Sequence, residues 1–535
     1  MSAPGVALPT FASRFPHLST FERITLVDVA MDVLEGAYSH LRQKRARYGI
    51  DPVGRLRVLR ERAESVSDRA FLEEVLGVFT ELRDLHTGVR PPDPLRRAVA
   101  VLPALVERYV RGDRPVYLVS KLAPWGRVHP ELATGVRVTH WNGVPIDDAV
   151  ARRAAATRGA NEAARLARGL ESLSVRPLAD HLMPDEHWVE LTFITPDRRS
   201  LTARLPWRVL PRVRSTPTGA PDAAAAATGF AAAPVNLALD PGGEEAQQAK
   251  RELFAGGTSR RPAGVRSRLR IITASVRPMG RTPVGHLRIW SFLHGDHQAV
   301  VDECARLLRG FEDAGCRGVL VDIRANPGGV IQSAERLLQL FTPARIEPTR
   351  FAFTPTDLTA QFCRIDPALR QWLPSIEAAA GSGEVYSQAY PITDPDREAN
   401  GDGRHTTLPS VLIVDPLCYS SADLFAAGWV DNEIGPIVGT GGTTGAGGAN
   451  VWTDHDVALR TDPDAEGSPA VLEGGMSLRV AVRRALRVRA SAGIPLEDIG
   501  VAVPEPNVHA TTRRDLLSGN HDLLRFTVDR LPERR

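Results

Sequence analysis

The chain has 535 residues, 43% of them hydrophobic and 24% charged, which is too long for one apolar core and predicts two to four domains. A net charge of only +3, with no dense basic run, gives no reason to expect a nucleic-acid or acidic-membrane partner. Four cysteines without CxxC spacing (Cys304, Cys316, Cys363, Cys418) read as free thiols of a reducing compartment. With no signal-peptide pattern at the N-terminus and no long apolar run, the expectation is a cytoplasmic protein without a membrane span.

Residues 20–112 read as helical. FERITLVDVAMDVLEGAYSHL repeats its apolar residues at helix spacing behind Ser19 and Thr20, which are suitable caps. DRAFLEEVLGVFTELRDLH repeats the pattern and stops at Gly88 with Pro91 and Pro92 beyond, so His86 falls where a helix runs out. From 113 to 212 short strands take over (PVYLVS, GVRVTHWNGVPI, HWVELTFIT, SLTARLPWRV) around a helical stretch, VARRAAATRGANEAARLARGL. A strand, a WNG turn and a following helix resemble a PDZ-like module, which takes a peptide as an added strand; a plain small β domain fits the pattern equally. Residues 213–265 are rich in Ala, Pro and Gly and predict a flexible insertion, with a flap or inhibitory segment as the functional alternative. From 266 to 535 strands and helices alternate, as in a layered α/β domain.

Two loops follow the most apolar strands. DIRANPGG (Asp322 to Gly329) ends in glycines that let another chain approach and leave amides free for an oxyanion, although it also reads as an ordinary strand-to-helix turn. VDPLCYSSADLFAAGWVDN puts Ser420 and Ser421 at a helix start, where either serves as a cap and where local positive potential also favours a developing oxyanion.

Taken together, DIRANPGG, SSAD (Ser420 to Asp423) and VGTGGTTGAGG (Val438 to Gly448) resemble the tail-specific (C-terminal-processing) serine peptidases. The match covers about residues 266 to 510 well and the N-terminal third more loosely. It implies a multidomain α/β protein: a ClpP/crotonase-like catalytic domain (266–535), an N-terminal helical domain (1–112) and a PDZ-like module (113–212) on either side of the boundary at 112. It also implies Ser420 as nucleophile, with the amides of Gly328 and Ser421 as oxyanion hole.

The family divides by its base. One branch places a lysine in TFGKG; here the stretch is TTGAG, Ala446 stands in that place, and no lysine follows Lys250. The other branch, which includes the tricorn core protease and the chlamydial protease activity factor, uses histidine and glutamate. LRDLHTG is similar to its L-x-D-x-H motif and implies His86 as base; PLEDIGVAVPEP implies Glu497 as the orienting carboxylate, with Asp498 its neighbour and rival. A serine that precedes the histidine in tricorn-type sites is replaced by Leu85. The expected reaction is hydrolysis of extended or unfolded polypeptide through an acyl-enzyme, with no metal or organic cofactor; self-association is left open. The competing readings are a non-catalytic binder of peptides or apolar ligands on the same scaffold, and an esterase or acyl-transferase of the crotonase type.

Overall fold

In the computed structural model, which describes residues 4–211, 236–254, 265–280, 282–403, 406–461, 472 and 474–533, the first third opens with helices. These are α1 (Thr20–Gly36), α2 (Leu41–Tyr48), α3 (Pro52–Glu61) and α4 (Asp68–Glu81). At Ser19 the hydroxyl accepts the Glu22 N–H while the Glu22 carboxylate accepts the Ser19 N–H, a reciprocal cap that starts α1. Ser67 caps α4 through the Ala70 N–H. This helix ends at Glu81, before the expected stop, and the chain passes through His86 into a short strand, β1 (Gly88–Arg90).

Strands Ala104–Arg111 and Arg114–Leu122 form a hairpin that turns at Gly112, so the domain boundary expected at 112 cuts through one structural unit. The inner half of the first strand, Ala104–Val106, is a short apolar run, and periodicity alone cannot separate such a run from helix. The hairpin continues into a six-stranded sheet with 137–141, 144–145, 188–194 and 200–206. Helices Ile146–Ala155 and Glu162–Ser174 pack on it.

Residues 236–254 lie inside the stretch expected to be a flexible insertion, yet they form β2 (Leu237–Leu239) and α5 (Pro241–Phe254). Their order comes from backbone pairing, from buried ion pairs and from a few buried apolar residues, Ala246, Ala249 and Phe254, so a low apolar content hides it. Asp240 takes the Arg168 guanidinium at 2.6 Å, and Glu245 takes that of Arg90 at 2.7 Å. Residues 213–235 and 255–264 of that expectation lie outside the described residues.

The strands after α5 are β3 (Ile272–Arg277), β4 (Val284–Ile289), β5 (Val319–Asp322), β6 (Gly328–Val330), β7 (Arg350–Phe353), β8 (Tyr390–Pro391), β9 (Ser410–Val414), β10 (Ile437–Gly439), β11 (Ala449–Thr453) and β12 (Ser477–Leu486); helix α6 (Ser421–Asp431) follows β9. One sheet has the order β3-β4-β5-β9-β10, parallel from β4 onward. Its strands β5 and β9 are buried at every residue, as expected of parallel strands covered on both faces. A second sheet has the order β6-β2-β11-β12-β7-β8, and β1 pairs with β12, Gly88 opposite Arg479. Through that pairing an early segment joins the edge of the later domain. The joint is sealed by one apolar core in which Leu26, Val27 and Leu34 of α1 pack with Phe353, Trp452 and Val480. The result is a mixed α/β, multidomain chain. Among the described residues no helix is long and apolar enough to cross a membrane.

Candidate active site

β9 is followed by a turn that forces Ser420 into a left-handed backbone conformation, φ 70° and ψ −122°, directly before α6. A serine there is strained, and strain persists where surrounding contacts fix it. Here the Asp423 carboxylate fixes it. Asp423 accepts the N–H groups of Ser420 (2.9 Å), Gly447 (2.8 Å) and Ala446 (3.1 Å), together with the Thr444 hydroxyl. Burial pushes the Asp423 carboxyl up to about 7, against the pull of these four donors. The loop 443–448 is thus tied to the turn by a single side chain.

Ser420 Oγ lies 2.5 Å from His86 Nε2, across 334 positions of sequence. Neither residue has exposed surface. Ser421 is oriented differently: its hydroxyl donates to the carbonyls of Ala238 and Gly329, both at 3.1 Å, and so points away from the imidazole. Cys418 donates its thiol to the Ile323 carbonyl, and burial raises its pKa well above the usual value, so it is held as a thiol.

The imidazole rests against Tyr419, ring centroids 4.7 Å apart. Tyr419 also accepts the Leu85 N–H at 3.2 Å and shares a contact with Asp84 at 3.4 Å. A Cβ placed on Gly447 would fall 2.5 Å from carbons of the same phenol ring, so this position requires glycine. Ala446 packs in a small apolar cluster with Leu85, Ala160 and Tyr419.

Nδ1 of His86 has no hydrogen-bond partner; Asp84 Oδ1 stands 3.9 Å away. Asp84 is itself fixed by the His86 backbone N–H (2.7 Å) and the Thr87 hydroxyl (2.9 Å). Atoms of Asp84, His86 and Glu497 all come within 4.8 Å of one another, an arrangement that could also hold a metal ion. The Lys44 ammonium, however, already supplies positive charge there, 2.7 Å from Glu497 Oε1 and 2.6 Å from Asp498 Oδ1. Glu497 Oε2 accepts the Gly448 N–H at 3.2 Å, and Asp498 is further held by Gln43 and the Tyr48 hydroxyl.

Burial lowers the His86 pKa to about 3, outweighing the pull of Asp84, so the ring is neutral and Nε2 can accept a proton. Asp84 is the firmer anion. Burial works against its ionisation, but interaction with the His86 ring, the Lys44 ammonium and the His86 backbone N–H holds it at about 2. Glu497 moves the other way: burial pushes it well up, and Lys44 only partly offsets this.

Gly328 adopts φ +99° and faces Ser420, where an added Cβ would sit 2.8 Å from Ser420 Cβ and 2.9 Å from Ser421 N. Its N–H is engaged by Asn326 Oδ1 at 2.9 Å, which differs from the free oxyanion amide expected of it. Ser421, first residue of α6, belongs to the turn whose amides have no intrahelical acceptor.

Sequence reasoning did not bring out Lys44, Asp84 or Tyr419 as members of this cluster. Asp84 lies within LRDLHTG and Tyr419 precedes Ser420, so both carried a signal; Lys44, in the basic helix LRQKRARY, carried none.

Residues 283–460 match the family model described as Peptidase family S41. The fold is similar to that of the crystal structure of mature CPAF, with a TM-score of 0.66 at 14% identity over 96% of this chain and 97% of that one. It is likewise similar to mature CPAF complexed with lactacystin, with a TM-score of 0.64 at 16% identity over 96% and 98%. No curated protein sequence matches the chain. The chain carries a peptidase family S41 domain and, with it, the hydrolase chemistry of a serine-type peptidase.

Proposed function

We propose that Ser420 is the nucleophile of an endopeptidase acting on extended or unfolded polypeptide, and that His86 is its general base. The observation that carries this reading is the 2.5 Å approach of His86 Nε2 to Ser420 Oγ in an enclosed site. Neutral His86 takes the Ser420 proton as Oγ attacks the peptide carbonyl, and returns it to the leaving amine as the acyl-enzyme forms. Water then repeats the sequence and releases the acid. The imidazolium formed in each step is stabilised by Asp84, with the Lys44-bound Glu497 behind it. The Ser421 N–H is the first oxyanion donor; the Gly328 N–H joins it when Asn326 releases it.

The wider reading assigns 266–535 to a ClpP/crotonase-like catalytic unit, the helices before Ala104 to the segment that delivers the base, and the sheet that begins with the Ala104–Arg111 strand to a PDZ-like module taking substrate as an added strand. Four cysteines, all buried and unpaired, suit a reducing cytoplasmic setting. Because Ser420 has no exposed surface, hydrolysis requires residues around it to move aside. The test is hydrolysis of a denatured protein by the wild type, Ser420→Ala and Ser421→Ala. Loss of activity in Ser420→Ala with substantial activity in Ser421→Ala supports the assignment; the reverse pattern overturns it.

A further inference from the structure

Buried arginines in this chain usually hold a carboxylate: Arg23 holds Asp68, Arg158 holds Asp180, and Arg288 holds Asp322. Arg483, on β12, is only 2% exposed and has no carboxylate within 4.0 Å among the described residues. Its polar partners are two neutral amides. Nε and Nη2 donate to Asn450 Oδ1 (3.1 and 2.8 Å), and Nη2 donates to Asn236 Oδ1 (3.2 Å). Removing a cation from water without a counter-ion is costly, and aromatic faces recover only part of that cost. The faces are present: the Arg483 guanidinium carbon lies 4.9 Å from the Trp372 ring centre, 5.3 Å from Phe353 and 6.0 Å from Trp452.

Beside this cation is a cleft of about 90 Å³, walled by Trp372, Trp452 and Leu369, with exposed Ala368 and Gln371 at its mouth. A second arginine, Arg460, stacks on Trp452 and is already neutralised by Asp366 at 3.1 Å. The lining therefore carries two guanidinium charges and one carboxylate, a net positive charge in a space large enough for a carboxylate and a short apolar stem.

We infer that this cleft is a binding site for a carboxylate, taken up by Arg483 between the two tryptophans. The carboxylate is either that of a small free acid or that of a peptide chain. Two residues after Asn236, the carbonyl of Ala238 accepts the Ser421 hydroxyl, so the cleft adjoins the strand lying beside the nucleophile. The site stands on its own geometry and does not depend on the assignment of Ser420.

The experiment titrates the full chain with sodium butyrate, with neutral butyramide, and with a short peptide carrying either a free C-terminal carboxylate or an amide. Tryptophan fluorescence and thermal midpoint are followed. Saturable binding of butyrate but not butyramide is expected, weakened about tenfold or more in Arg483→Met, since a charge-assisted fork is lost. Binding of the free-acid peptide and not its amide identifies a chain-borne source, whereas butyrate binding alone identifies a free acid. Should Arg483→Met fail to fold, Ala368→Trp, which fills the exposed mouth, serves instead and is expected to abolish the saturable change. Butyramide binding equal to butyrate, unsaturable response, or undiminished binding in the folded variants overturns the inference.

Discussion

Replacing Lys44 by Met removes one positive charge from a place where water cannot substitute for it. Lys44, Glu497 and Asp498 have fully buried side chains, and the ammonium touches both carboxylates at 2.6 to 2.7 Å. Methionine nearly fills the volume, so the change is electrostatic rather than a cavity. Breaking a buried pair by deleting one partner costs about 3–5 kcal/mol, because a charge is left without compensation. The cost depends on pH. Glu497 sits above its unfolded value through burial, and Lys44 is the group that pulls it back. A group with a raised folded pKa contributes stability that is present below its unfolded value, near 4.3, and lost as pH rises toward the folded value. Without Lys44 the folded value climbs further and the loss extends over a wider range. Urea unfolding of wild type and Lys44→Met should therefore differ by about 3–5 kcal/mol at pH 8 and by clearly less at pH 5. A difference under about 1 kcal/mol at pH 8, or one that does not vary with pH, would refute the reasoning.

Two other outcomes follow from the same cluster. His86 and His40 are both buried, and burial lowers them to about 3 and about 4. Below pH 6.5 the unfolded chain binds protons that the folded chain refuses, so the contribution of these rings is present above 6.5 and lost as pH falls. The acid limb of kcat/KM should accordingly lie well below 6.5 while the fold persists; a limb at 6.5 means that an exposed histidine governs activity. Gly447→Ala would press a methyl group to 2.5 Å from the Tyr419 ring and displace the surface that supports His86. Hydrolysis should fall at least tenfold with a stability loss of about 1–3 kcal/mol, as measured by steady-state kinetics beside urea unfolding.

The later α/β half was legible because its physics is local. Strands such as Val319–Asp322 and Ser410–Val414 are buried on both faces and appear as unbroken apolar runs, while loops that approach other backbone are written in glycine. His86 was legible only through the pattern around it. What escaped notice was long-range. Lys44 sits in LRQKRARY, a sequence typical of a solvated helix, and its burial is set by carboxylates more than 450 positions away. β2 was hidden by small residues, since Ala238 contributes backbone pairing and little apolar surface. Gly328 lies beside Ser420, but no spacing rule reveals that Asn326 holds its N–H.

The central claim is that the His86 imidazole activates the Ser420 hydroxyl, and the rate of phosphonylation by a fluorophosphonate tests it most directly. Mass analysis should locate the adduct on Ser420, and His86→Gln should slow its formation by about 10²-fold or more, the usual worth of a positioned base. An adduct elsewhere, or a rate in His86→Gln equal to that of the wild type, would contradict the account.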